Sequence, residues 1–549
     1  MKNRTINKLL LFTAVAFVAS SCAKKLDLFP QNDLTPNNAY STAAGYKAVL
    51  AKVYGGLAVT GNTGPSGSPD IQGGLDEGSQ VPFIRAFFNH EELPTDEAVV
   101  AWNDQTIHDF HDLKWTSADP FIKGMYARPI YNITIANEYL REATDEKLTS
   151  RNITGNEATD IKKSVAEVRF LRAFNYWVML DLFGKSTFIT EKDLPGTDLP
   201  KQINRDSLFN YVRTELQAVE NDLAAPKTNE YGRVDQAAAW ALLARLNLNA
   251  PVYLGFSTGD ARALPYYTNA ITYSKKVIAA NYSLISGYNK LFIADNDKQT
   301  SEIIWAIACD GLHTQSFGNT TFFTHAASGD DHGEYGAGDG WYGYRATKAL
   351  GDKFADPSGN TDKRALFTTS KYNPTASQMQ ISDISNFDNG LHVMKWINKR
   401  TDGQPVHDPN GYYADIDFPV FRLPEMYFIY TEAVLRGGTG GDVATALTYM
   451  NKIRFRAYGD SYGPGNVGQL TQPDITLQFV LDERARELYW EGHRRTDLIR
   501  YGLLTTSTYL WPWKGGVASG TFVDSRFNIY PVPSANRTAN PNLEQNAGY

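Results

Sequence analysis

Cysteine is nearly absent from this 549-residue chain, which has two, Cys22 and Cys309. They cannot build a disulfide framework or a four-cysteine metal site, so the core must come from packing. An excess of positive charge is missing too. Lys and Arg number 53 against 60 Asp and Glu, a formal charge of −7, which excludes a chain drawn to nucleic acid by its overall field. The mean hydropathy of −0.37 excludes a bundle of membrane helices. Gly336-Ala-Gly338-Asp-Gly340 has no strand–turn–helix unit around it and is no dinucleotide fingerprint. Aromatics, by contrast, are plentiful, with 31 Tyr, 28 Phe and 10 Trp. Tyr and Trp combine a flat apolar face with a polar tip, which suits amphipathic ligands.

The N-terminus reads as a leader over residues 1–21. Lys2, Arg4 and Lys8 precede an apolar run from Leu9 to Ala19, shorter than the ~20 residues that cross a bilayer. The run ends in Val18-Ala-Ser-Ser-Cys22, which resembles a bacterial lipobox: cleavage would leave Cys22 as a lipidated N-terminus and a membrane anchor. Cys309 lies in the apolar stretch Ile303-Ile-Trp-Ala-Ile-Ala308 and reads as a small buried residue.

Helical periodicity dominates the rest. Glu157–Phe183 lacks Gly and Pro and carries Val165, Val168, Leu171, Phe174, Val178 and Leu182 on one face. Asp206 is placed to cap the next helix, striped by Leu208, Val212, Leu216, Val219 and Leu223. Further helices are expected over Arg233–Ala250 (stopped by Pro251), Leu264–Ala280, Pro424–Arg436, Asp442–Ala457 and Asp474–Gly492. Amphipathic helices joined by short loops predict a mainly α fold of tetratricopeptide-like pairs, with a few short strands. Loop-rich insertions around 55–115 and 283–421 are rich in Gly, Asp, Asn and aromatics. Loops that long usually carry function. Trp177, Trp240, Trp305 and Trp490 sit on apolar patterns and are expected in the core.

Several blocks of sequence then resemble one family. Ala166-Glu-Val-Arg-Phe-Leu-Arg-Ala-Phe-Asn-Tyr-Trp177 with Leu182-Phe-Gly184, Ala241–Ala250, Met450–Ala457, Asp482–Arg500 and the ending Tyr530-Pro-Val-Pro533 through Gly548-Tyr549 are similar, in order, to the SusD/RagB family. The resemblance implies a single SusD-like domain over residues 22–549, on an outer-membrane lipoprotein facing the cell exterior. It implies a glycan-binding function without catalysis or a required cofactor, and a SusC-like TonB-dependent β-barrel transporter as partner. Asp76-Glu-Gly78, Arg85, Glu92–Glu97, Ala101–Asp104 and Gly340-Trp-Tyr-Gly343 before Arg345 look like the family's founding starch-binding member, which makes α-glucan and malto-oligosaccharide the expected ligands.

A neutral sugar offers apolar C–H faces and a hydroxyl rim, so its site needs aromatic platforms and a few polar partners. Trp102 and Trp341 lie in Gly/Asp-rich loops and are expected exposed; by resemblance they are two walls of an aromatic arc. Phe317 is the candidate third wall, where the family pattern has a tyrosine. Arg85 and Gln105 are candidate hydroxyl donors, and Asp76 and Glu77 candidate acceptors.

Other chemistries have weaker support. A fructan or host glycan is the alternative within the family. Glu91, Glu92, Asp96 and Glu97 supply enough carboxylates for a glycoside hydrolase pair, but read more simply as a solvated acidic turn. His108 and His111 lack a third zinc ligand. The density of Glu483, Arg484, Arg486, Glu487, Glu491, Arg494, Arg495 and Asp497 reads as ion pairs between packed helices. Asp295, Asp297 and Asp460 offer hard oxygens for a structural calcium, incomplete without carbonyls and water.

Overall fold

The computed structural model describes residues 35–549 apart from 63, 66–68, 105, 197, 374, 466 and 467. The leader, Cys22 and Gln105 lie outside the described residues. The principal helices are α1 (Ala43–Gly55), α2 (Phe83–Glu91), α3 (Pro120–Glu142), α4 (Gly155–Phe183), α5 (Arg205–Val219), α6 (Gln236–Leu248), α7 (Leu264–Ala279), α8 (Leu423–Leu435), α9 (Val443–Tyr458), α10 (Leu477–Leu488) and α11 (Arg494–Arg500). Three short antiparallel pairs accompany them: β1 (Ala98–Val100) with β5 (Tyr344–Ala346), β2 (Ser186–Phe188) with β3 (Lys201–Ile203), and β4 (Ile303–Ile307) with β6 (Phe418–Arg422).

The helices pack in successive pairs, α3 with α4, α4 with α5, α6 with α7 and α8 with α9. At the centre is α4, whose residues 170–183 are buried on every side. That is the behaviour of a helix apolar around much of its circumference rather than along one stripe. It stops at Gly184, at φ 67°, a left-handed position that glycine tolerates. Asp119, Asp235 and Asp442 cap α3, α6 and α9 by accepting backbone N–H bonds. Helix α3 contains Gly124 and Pro129, which interrupt its pattern. Gly124 is where the helix approaches the Gln80 carbonyl, with no room for a Cβ.

Some boundaries differ from the sequence expectation. The N-cap of α5 is Asn204; Asp206 sits in the first turn and accepts from the N–H of Ser207. Pro251 does not simply end α6: after Asn249 it opens a short helix, Ala250–Leu254, because its missing N–H is harmless in a first turn. The predicted Asp474–Gly492 helix is α10 alone. It breaks at Tyr489, and Trp490 adopts φ 61° before α11. Trp177, Trp305, Trp490 and Cys309 are buried, whereas Trp240 is only half-buried, its indole N–H donating to Glu220.

The insertion between α7 and α8 loops out from one place. These two helices pack on each other, and the β4–β6 pair closes the base of the excursion before β6 runs into α8. Buried ion pairs use the Arg and Glu density of this region, but most of them bind the insertion to the C-terminal helices rather than joining one helix to another. Arg364 meets Glu483 at 2.8 Å and Lys395 meets Glu491 at 2.6 Å. Arg422 joins Glu487 and Glu491, each at 2.6 Å, while Arg456 reaches Glu302 at 3.1 Å. Arg484 pairs with Asp497 inside the same region.

Candidate functional site

The β1–β5 ladder is three residues long and aligns Val100 with Tyr344. Because it is antiparallel, the residue leaving β1 meets the residues entering β5, and Trp102 comes beside Trp341 across 239 residues of sequence. The Ala101 N–H donates to the Gly343 carbonyl at 2.8 Å, and the Trp102 indole N–H to the Trp341 carbonyl at 3.4 Å. Their ring centres lie 6.4 Å apart with planes at 49°. Behind Trp102, Tyr344 packs edge-on at 5.0 Å and the Arg85 guanidinium lies 5.4 Å from the ring centre. Behind Trp341 stacks the buried His325 ring at 4.7 Å, itself held by Asp339 at 2.6 Å.

Phe317 continues the surface, 5.9 Å from Trp341 with planes at 59°. A fourth ring follows, Tyr413, 5.3 Å from Phe317. Trp102, Trp341, Phe317 and Tyr413 are all half-buried, so each is held by the fold while keeping some surface open. Tyr413 is an arc residue that the sequence reading misses. Its signal is nevertheless there: it lies in Gly411-Tyr-Tyr413, the same Gly/Asp-rich context as the two tryptophans. Asn103 and Asp104, exposed directly after Trp102, likewise add an amide and a carboxylate beside the arc.

The polar candidates divide. Asp76 is exposed, accepts from the Ser79 hydroxyl at 2.6 Å, and borders Phe317 through the intervening Gly78. Glu77 is half-buried and accepts from Thr60 at 3.0 Å. Arg85 is buried, at 8% exposure, and donates to the Gly78 carbonyl at 2.9 Å, so it ties the 76–78 loop to the Trp102 ring from beneath. Desolvation lowers its pKa, against the nearby Tyr344, Asp104 and Asp76.

The acidic stretch is not a solvated turn. Glu91, Glu92, Asp96 and Glu97 are all buried. Glu91 faces Arg495 at 3.5 Å, and Glu92 accepts the N–H groups of Gly492 and His493 at 2.6 and 3.2 Å. Asp96 takes a bidentate pair from Arg494 at 2.6 and 2.7 Å. Burial would raise the Asp96 pKa, but Arg494 and Lys353 hold it below the usual carboxylate range. Burial pushes Glu91 and Glu92 well up. These carboxylates hold α11 and the turn before it to the end of α2 and the segment that follows. His108 is half-buried and His111 buried, their rings 5.0 Å apart at the edge of the core. Gly459-Asp-Ser-Tyr-Gly463 has the spacing of a hydrolase nucleophile elbow but follows helix α9 rather than a strand.

The calcium candidates are not brought together as one ligand set among the described residues. Asp295 is buried and its oxygens accept from the Thr401 N–H at 3.0 Å and hydroxyl at 2.5 Å, with Lys298 at 3.2 Å. Asp460 is exposed on the turn after α9. A cavity of 1110 Å³ is lined by Tyr46, Leu50, Tyr54, Ile161 and Trp305 among others, and none of the four arc rings borders it.

A frame of paired helices that presents an open arc of aromatic faces, with the carboxylates of the 91–97 stretch buried and held by arginines and backbone N–H groups, has the organisation of a binding protein. The chain belongs to the SusD family. Residues 301–549 match the SusD family pattern, and the whole chain is 35% identical to the starch-binding protein SusD of Bacteroides thetaiotaomicron, with all of both chains covered. Among solved structures, a SusD superfamily protein from Parabacteroides distasonis shares the fold with a TM-score of 0.67 at 21% identity, covering 94% of this chain and 100% of that one. Surface glycan-binding protein A from Bacteroides thetaiotaomicron, in complex with laminarihexaose, does so with a TM-score of 0.66 at 19% identity, covering 92% and 99%.

Proposed function

We propose that this protein is a surface-exposed, lipid-anchored glycan-binding protein that captures starch and malto-oligosaccharides and passes them to a SusC-like TonB-dependent outer-membrane transporter. The observation that carries this reading is the contiguous arc of Trp102, Trp341 and Phe317, partly open and with successive planes turned by 49° and 59°. Such a surface follows a helically curving glucan better than a straight one. Full-length similarity to a protein named for starch binding supports the α-glucan, and the lipobox-like Val18–Cys22 supports the anchor. The transporter partner follows from the family likeness.

Each ring that covers about 100 Å² of sugar contributes roughly 2.5 kcal/mol before ordering costs. Two or three rings leave about −4 to −6 kcal/mol, a dissociation constant between millimolar and tens of micromolar. Weak binding suits a protein that must release its ligand. Affinity gels carrying amylose, laminarin or inulin test the reading. Retardation by amylose, lost in Trp102→Ala and Trp341→Ala, is expected. Retardation by laminarin or inulin alone would move the protein to another glycan, and unchanged retardation in both variants would remove the arc as the site. Incubation with amylose is expected to release no reducing sugar.

A further inference from the structure

At the Phe317–Tyr413 end of the arc, two loops meet through a cluster that the glycan reading does not use. Asp310, His407 and Asp415 each offer one ligand atom, and these atoms all lie within 4.8 Å of one another. His407 Nδ1 stands 3.5 Å from Asp310 Oδ2 and 3.2 Å from Asp415 Oδ2. A second imidazole, His313, places its Nδ1 3.2 Å from the same Asp310 oxygen. We propose that Asp310, His407 and Asp415 bind a divalent transition-metal ion of the zinc class, with water completing the shell.

Geometry and chemistry both point this way. Ligands ~2.0–2.1 Å from zinc at tetrahedral angles stand ~3.3–3.4 Å apart, which the two separations from His407 to the carboxylates bracket. Charge-assisted hydrogen bonds between imidazole and carboxylate are shorter, about 2.7–2.9 Å. Backbone N–H groups also orient the carboxylates by hydrogen bonds, as such bonds orient metal ligands. Asp310 Oδ1 accepts the N–H groups of Leu312 and His313 at 2.7 and 3.0 Å, which turns Oδ2 toward the cluster. Asp415 Oδ1 accepts from the Gly311 N–H at 2.8 Å, while its Oδ2 accepts from the His407 N–H at 2.9 Å and faces the imidazole. Two carboxylates supply a charge that a divalent cation cancels, and an imidazole nitrogen favours zinc or cobalt over calcium. The ion would cross-link the 310–318 loop, which carries Phe317, to the 407–415 segment, which carries Tyr413. It does so whatever ligand the arc takes.

The test uses the purified protein stripped of metal, titrated calorimetrically with zinc chloride and, separately, with cobalt(II) chloride and calcium chloride. The expected result is one zinc per chain, the visible d–d bands of tetrahedral cobalt(II), and a rise in melting temperature with zinc. His407 is exposed, so His407→Ala should fold normally yet weaken zinc binding about tenfold or more and abolish both the cobalt bands and the thermal shift. Asp310→Asn should do the same. No saturable heat with zinc, binding of calcium alone, or zinc affinity unchanged in both variants would overturn the proposal and leave a plain His–Asp ion pair.

Discussion

A methyl group at Gly343 would stand 2.2 Å from the Trp102 indole nitrogen, and the backbone there has φ +104°, where a side chain is strained. Glycine at this position therefore lets the indole lie against the β5 backbone. Gly343→Ala should cost about 1–3 kcal/mol of stability and displace Trp102. Urea unfolding together with amylose affinity gels measures this; full retardation in a destabilised variant would show that the Trp102 position is not needed. Phe317 tests the opposite change. Adding a hydroxyl in Phe317→Tyr should tighten amylose binding by about 0.5–1.5 kcal/mol if the hydroxyl finds a sugar partner. Unchanged affinity by calorimetry would mean that the ring contributes only its face. Arg85 illustrates how residue type alone misleads: a guanidinium suits sugar hydroxyls, yet here it is buried beneath Trp102 and ties down the Gly78 carbonyl.

At the scale of elements, the β1–β5 pair decides where the tryptophans stand, and the buried ion pairs decide where the insertion sits. Glu487 is the hub, within ion-pair reach of Arg364, Arg422 and Arg456. Glu487→Gln leaves three guanidiniums short of a buried counter-charge, which should cost about 3–5 kcal/mol. The expected signature is a lower urea midpoint with an unchanged slope; a midpoint within error of the parent would mean that the remaining carboxylates redistribute to satisfy the arginines. The longer helices are legible in the sequence because a 3.6-residue apolar period is a local property. Their ends are less so. Trp490 and Pro251 act at breaks whose geometry depends on what the following segment packs against.

For the whole molecule, the buried carboxylates shape the response to pH. Burial would raise Glu487, but Arg456, Arg422 and Arg364 outweigh it and bring its pKa down to about 2. In Glu432 burial is likewise outweighed, by Arg500 and Arg436, and its pKa also falls to about 2. Both folded values lie below the unfolded ~4.3, so these groups stabilise the protein above that pH and lose their contribution as pH falls toward about 2. Glu97 shifts the other way. Burial raises it to about 7, with Arg494 opposing and Asp96 adding to the rise. Its contribution is present below ~4.3 and fades as pH rises through about 7. Melting temperature should therefore decline gently as pH rises from ~4.3 to about 7 and drop steeply below pH ~4; a flat profile by calorimetry across the acid range would show that the ion pairs carry no net weight.

Local pattern was enough to establish a mainly helical chain with two aromatic-rich insertions, and tryptophans set in loops rather than on helix stripes. Periodicity, Gly and Pro placement and short motifs all act within a few residues, so they can be read without coordinates. Only tertiary structure could decide that the acidic stretch at 91–97 is buried, because the partner of Asp96, Arg494, lies 398 residues away. It alone could also bring Trp102, Trp341, Phe317 and Tyr413 into one arc, through a three-residue ladder and two meeting loops. Contacts between distant segments arise from how whole elements pack, and no local spacing encodes them.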